Sequence, residues 1–110
     1  MIDLSVVIVS WNTRALTEAC LAAMCDTADG LRTETIVVDN ASTDGTAEAI
    51  AAGAAGIRLI ANSENAGFAR ANNQAIAQCT GRYVVLLNSD TVARPGALSA
   101  LVRFMDAHPE

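Results

Sequence analysis

Apolar residues along this chain come in short runs separated by helical patterns. Leu4 to Val9 is a β-branched apolar run, and after Asn12 a segment carries Leu16, Cys20, Leu21, Met24 and Cys25 at helical spacing. A strand followed by a helix is the expectation. Glu34 to Val38 repeats the strand signal and runs into "DNASTDGT", where Ser42, Thr43 or Asp44 suits the cap of a helix from about Thr46 to Ala52. Ile57 to Ala61 then leads through "NSENAG" to a third helix, Phe68 to Cys79, with Gly81 as its C-cap. Tyr83 to Leu87 is the fourth strand, and Pro95 fits the first turn of a helix running to about Ala107. Strands that read as continuous apolar runs between helices indicate a parallel sheet covered on both faces, so the chain is expected to be an α/β, Rossmann-like domain.

Polar residues fall where the strands end. Ser10-Trp11-Asn12, Asp39-Asn40, Asn62 to Asn65 and Asn88-Ser89-Asp90 each follow a predicted strand, and in such sheets ligands gather at the carboxyl ends of the strands. Three familiar phosphate-handling signatures are missing. No G-x-G-x-x-G follows strand one, and no G-x-x-x-x-G-K-[ST] occurs. A phosphoacceptor domain would want acidic residues after strand one, where this chain has Ser10, Trp11 and Asn12. A less glycine-dependent nucleotide site is left.

Composition narrows the classes further. With 110 residues and 52% hydrophobic content, the chain can bury one core. Its apolar runs are far shorter than the roughly 18 residues a membrane span needs. "MIDLSVVIVSWN" lacks the basic flank and cleavage site of a signal peptide, so a cytoplasmic location is expected. A formal charge of −5 without any basic run disfavours nucleic acid as a partner. A small anionic ligand stays open, because backbone N–H groups at helix N-termini bind phosphate without lysine. Cys20, Cys25 and Cys79 match no zinc spacing and read as structural thiols. His108 reads as exposed, and Arg70, unlike Arg58 and Arg82, has a place from which to reach a phosphate.

Four stretches, "VVIVSWN" at 6–12, "IVVDNASTDGT" at 36–46, "NAGFARANNQAI" at 65–76 and "YVVLLNSDT" at 83–91, carry a resemblance. In this order they are similar to the amino-terminal half of family 2 glycosyltransferases of the GT-A fold, most of all the rhamnosyltransferase-like bacterial enzymes. The resemblance implies a parallel sheet in order 3-2-1-4, with strand four beside strand one. It also implies that residues 1–110 are the nucleotide-sugar-binding half of a longer domain. Asp39 would accept a hydrogen bond from the pyrimidine of a UDP- or dTDP-sugar, a charged hydrogen bond of roughly 1.5–3 kcal/mol, with Asn40 beside it. Ser10, Trp11 and Asn12 resemble the family's first nucleotide-contacting loop, and Asn65, Gly67, Phe68, Asn73 and Ser89 complete the implied site. Gly67 lets the backbone turn close to a ligand. Plainer roles stay open: a turn aspartate at 39, a sheet cover at Trp11, a core ring at Phe68, an internally bonded Asn73.

"NSD" occupies the place of the family's D-x-D motif. The resemblance implies that Asp90 holds Mg²⁺ or Mn²⁺ against the donor diphosphate and so assists its departure. Asn88 at the first position implies weak metal binding by the free protein, and a polar turn is the plainer alternative. The implied reaction moves a sugar, with inversion, onto a glycan or lipid-linked glycan acceptor, at the inner face of the membrane in a full-length protein. Inversion needs a general base, which is expected beyond Glu110, so the chain alone is expected to be inactive. Two other readings compete: a nucleotidyltransferase, which would want a glycine-rich basic loop after strand one, and a nucleotide-binding or assembly module without catalysis. Strand four, apolar and free of charge or proline, is expected to act as a sheet edge that pairs in a homodimer.

Overall fold

A computed structural model describes residues 1–23, 30–53, 57–90, 94 and 96–108; the expectations for Met24, Cys25 and Pro95 lie outside these. Strands and helices alternate as β1 (Leu4–Ser10), α1 (Arg14–Ala23), β2 (Thr33–Asp39), α2 (Thr46–Gly53), β3 (Ile57–Ala61), α3 (Phe68–Ile76), β4 (Tyr83–Asn88) and α4 (Ala97–Ala107). The strands form one parallel sheet in the order β3-β2-β1-β4. β1 has a neighbour on each side and helices above and below, which is why its sequence shows no polar alternation.

The two faces are packed unequally. On one, Leu4, Val6, Ile8 and Val37 meet Cys20 of α1, Ile50 of α2, and Leu98 and Val102 of α4. On the other, Val7, Ile36 and Val38 meet Ala71 and Ala75 of α3, whose small side chains let the helix lie over β1 and β2. Val84 and Leu86 of β4 are 41% and 48% exposed, while Tyr83, Val85 and Leu87 pack on the opposite core. Among the described residues, no helix is long and apolar enough to cross a membrane.

The third helix ends at Ile76, three residues before the predicted Cys79, and its C-cap is Ala77 rather than Gly81. Gly81 has another use. A Cβ there would sit 2.7 Å from the Ser5 nitrogen and 2.8 Å from Ser5 Oγ, so only glycine lets the chain pass this close to β1. The Gly81 N–H donates to Ser5 Oγ (2.9 Å). Ser5 in turn donates to Glu34 Oε2 (2.5 Å), which also accepts from the Thr80 N–H (2.6 Å). Partial burial pushes the Glu34 carboxyl up, but the bonds from Ser5 and Thr80, with the Arg58 charge, outweigh it and hold the group below its ordinary 4.5. This clamp ties down the amino-terminal ends of β1 and β2. The opposite end of the sheet is left to the polar loops.

Candidate functional site

Side-chain hydrogen bonds lock the strand-end loops to one another. Asn12, with φ 50, turns the β1–α1 loop toward the loop after β2. Its N–H donates to Ser42 Oγ (2.8 Å) and its Oδ1 accepts from the Thr43 N–H (2.7 Å). Asp44 accepts from the Arg14 N–H (3.0 Å), the Thr46 N–H (3.1 Å) and the Thr46 hydroxyl, so one carboxylate serves the first turns of α1 and α2. The Thr46 hydroxyl, and after it the Arg14 N–H, hold the Asp44 carboxyl below its ordinary value.

Asp39 and Asn40 are adjacent and equally buried, yet they are bonded in different directions. Asp39 takes the Ser42 N–H on Oδ2 (3.0 Å) and the Ser42 hydroxyl on Oδ1 (2.6 Å). Asn40 reaches the start of α3: its Oδ1 accepts from Asn62 Nδ2 (3.0 Å) and the Ala66 N–H (3.3 Å), and its Nδ2 donates to the Gly67 carbonyl (3.3 Å). Gly67 is the N-cap of α3 with φ 84, and nothing lies within 4 Å of where its Cβ would be. Conformation, not space, demands glycine here. Asn65 Oδ1 accepts from the Gly67 N–H at 2.8 Å.

These loops enclose a cleft of about 390 Å³. Of the residues singled out in the sequence, Trp11, Asn40, Asn65, Phe68, Ser89 and Asp90 line it, joined by Val9, Thr13, Leu16 and Asn88. Ser10, Asn12, Asp39, Gly67 and Asn73 do not. Ser10 is buried against Thr17 (3.0 Å), Asn12 and Asp39 are latches between loops, Gly67 shapes the backbone, and Asn73 is exposed on α3. Phe68 is 58% exposed and Trp11 54%, so neither ring is core, and both offer flat apolar surface to a planar ligand.

The polar side of the cleft is Asn88, Ser89 and Asp90. Burial pushes the nearby Cys20 thiol up, and the Asp90 charge adds to the effect. Among the described residues no basic side chain lines the cleft; Arg70 is exposed on α3, and Arg14 Nε is engaged with Glu18 at 3.0 Å. One carboxylate among amide and hydroxyl oxygens suits a hard divalent cation whose remaining shell a bound ligand supplies. Among the described residues no cluster of three His, Cys, Asp or Glu could hold a metal unaided. Sequence reasoning missed Thr13, which directly precedes α1, and Leu16, in its first turn. The hydroxyls at 10, 13 and 17 carried a signal, since Thr13 and Thr17 fall on one helical stripe.

Comparison with known proteins is consistent across three routes. The family model "Glycosyl transferase family 2" matches residues 5–110. The chain is 32% identical over 107 residues to the succinoglycan biosynthesis protein ExoO of Rhizobium meliloti (strain 1021), covering 96% of this chain and 30% of that protein. It superposes on Staphylococcus aureus TarS 1–349 in complex with UDP-GlcNAc with a TM-score of 0.86 at 23% identity, over 97% of this chain and 32% of that one. On the mannosyltransferase PcManGT of Pyrobaculum calidifontis, in complex with GDP-Man and Mn²⁺, the TM-score is 0.85 at 28% identity, over 96% of this chain and 34% of that one. The chain thus spans about a third of the length of these proteins.

Proposed function

The chain belongs to glycosyl transferase family 2 and has its GT-A fold, and from that premise we propose that residues 1–110 form the donor-binding part of a glycosyltransferase that uses a UDP- or dTDP-sugar. The sugar goes, with inversion, to a glycan or lipid-linked glycan at the cytoplasmic face of the membrane. The rhamnosyltransferase-like subset is our finer reading, resting on Asn88 in place of an acid.

The observation that carries the reading is the make-up of the cleft: two exposed rings, a carboxylate, and no basic side chain. The rings of Trp11 and Phe68 take the planar base, and the amides of Asn40 and Asn65 border it. Asn40 rather than Asp39 is the base-side polar group in this arrangement, because Asn40 lines the cleft and Asp39 does not. Asp90 stands where the diphosphate arrives, and its lone carboxylate would repel that anion. Asp90 would hold Mg²⁺ or Mn²⁺ there, and the ion would supply the positive charge that offsets the diphosphate leaving group. PcManGT is complexed with Mn²⁺ and TarS with UDP-GlcNAc, which supports a metal-assisted nucleotide-sugar site here.

The general base that frees the acceptor hydroxyl is assigned to sequence outside these residues, so the chain alone binds donor and transfers nothing. Titration calorimetry with UDP, dTDP and GDP, each with and without Mn²⁺, tests the reading. UDP or dTDP should bind, and more tightly with Mn²⁺. Preference for GDP would overturn the pyrimidine assignment, and indifference to all three would overturn the function.

A further inference from the structure

Four hydroxyls meet behind the cleft. Ser10 closes β1, Thr13 directly precedes α1, Thr17 lies in the first turn of α1, and Ser89 follows β4. Ser10 and Thr17 are 3.0 Å apart, Thr13 and Thr17 3.1 Å, and Ser10 and Thr13 3.3 Å. Thr13 Oγ1 donates to Ser89 Oγ at 3.1 Å. Ser10 and Thr17 are wholly buried, whereas Thr13 and Ser89 border the cleft.

Each hydroxyl has one proton to give and two lone pairs to offer. Thr13 gives its proton to Ser89, so in its contacts with Ser10 and Thr17 it can only accept. The chain of bonds therefore has a direction, from the buried pair outward through Thr13 to Ser89. Ser89 Oγ already accepts from Thr13, so its own proton is left for a group in the cleft, and bonds linked in this way polarise one another.

We propose that Ser89 is a neutral donor to a diphosphate oxygen of the bound nucleotide, and that Thr13 is the positioning residue that sets its direction. The inference rests on the nucleotide-donor reading and deepens it. A cleft without a basic side chain has few ways to hold an anion directly. A hydroxyl polarised from behind adds attraction without adding charge next to Asp90.

The test is titration calorimetry of the chain with uridine and with UDP, on wild type, Ser89→Ala, Thr13→Val and Thr13→Ser. Ser89→Ala and Thr13→Val should each weaken UDP roughly tenfold, the value of one hydrogen bond to a charged group, and leave uridine unchanged. Thr13→Ser, which keeps the hydroxyl, should restore UDP affinity. UDP affinity indifferent to Ser89→Ala and Thr13→Val, or uridine and UDP weakening together, would overturn the relay alone. Wild type without affinity for UDP, dTDP or GDP would overturn the nucleotide reading and the relay with it. Should Thr13→Val fail to fold, Ser89→Ala and Thr13→Ser still decide.

Discussion

Self-association through the β4 edge is expected of this chain, and a lysine in place of Leu86 should weaken it. β4 is hydrogen-bonded to β1 on one side only, and a free strand edge is a template for another strand unless charge, proline or a bulge discourages it. Tyr83–Asn88 carries none of these. Val84 and Leu86 stand on its uncovered face, and Leu101, Phe104 and Met105 of α4 are also exposed. A groove of about 370 Å³ between β4 and α4 is lined by Val84, Val85, Leu101 and Met105. Opposed residues in an antiparallel ladder are either both bonded or both unbonded, so a two-fold axis must set one residue against its own copy. With the axis at Val85, Val84 of each copy meets Leu86 of the other, and the apolar faces merge. Side chains of this kind leave on the order of 45 Å² each when half exposed, from about 25 cal/mol per Å² and 1.5–3 kcal/mol for complete burial. Five of them give about 225 Å² per copy and about 450 Å² for the pair. With backbone and rim added, the contact is of the weak, small class below about 1,200 Å².

Leu86→Lys removes about 90 Å² of that contact across both copies, or about 2.3 kcal/mol as an upper estimate, and brings two like charges near the axis. Dimer affinity should weaken by about fortyfold. Light scattering across a concentration series reads the result, with circular dichroism to confirm the fold. Val85 is unsuitable for the substitution because it packs on the buried cluster. A monomer at every wild-type concentration, or a dimer indifferent to the lysine, would refute edge pairing.

Three further outcomes are expected. Asp90→Ala should remove the Mn²⁺-dependent part of UDP affinity, whereas Trp11→Ala should cost about 1–3 kcal/mol of stacking with or without metal; calorimetry showing one common effect for both would refute the division. Gly81→Ala places a methyl within 3 Å of the Ser5 backbone and should lower stability in urea by about 1–3 kcal/mol through the displaced Ser5 and Glu34 bonds, while a change below about 0.5 kcal/mol would show that the turn gives way freely. Glu34 has a folded-state pKa below its ordinary 4.5, so its contribution is present above that value and lost as pH falls through the lower, folded one; Glu34→Gln should flatten the acid limb of a stability–pH profile, and an unchanged limb would place acid sensitivity elsewhere.

Sequence and structure part company where tertiary bonds compete with local preference. The β1 run was legible because a strand buried on all sides has nowhere to place a polar residue, and the strand order followed from the resemblance. The end of α3 was not legible. Ala77, Gln78 and Cys79 would extend a helix, but Thr80 and Gly81 must reach Glu34 and Ser5, partners more than forty residues away in sequence, so the chain leaves the helix early.

The site shows the same division at finer grain. That polar strand ends would build it could be read directly from 10–12, 39–40, 62–65 and 88–90. Which of those side chains a ligand can reach could not, because that depends on whether another loop has already claimed them. Strand alternation sends Asp39 and Asn40 to opposite faces of the sheet. On one face Ser42 waits for Asp39, and on the other the start of α3 waits for Asn40. Both are buried, yet only Asn40 borders the cleft. The same alternation parts Asn88, in line with the exposed Val84 and Leu86, from Ser89, which is bonded to Thr13 just before α1. The cleft runs across the end of the sheet and takes residues from both faces, so parity alone assigns no role. Access and free donors do: Asp39 stays outside the cleft on its latch to Ser42, whereas Ser89 borders the cleft and keeps a proton to give.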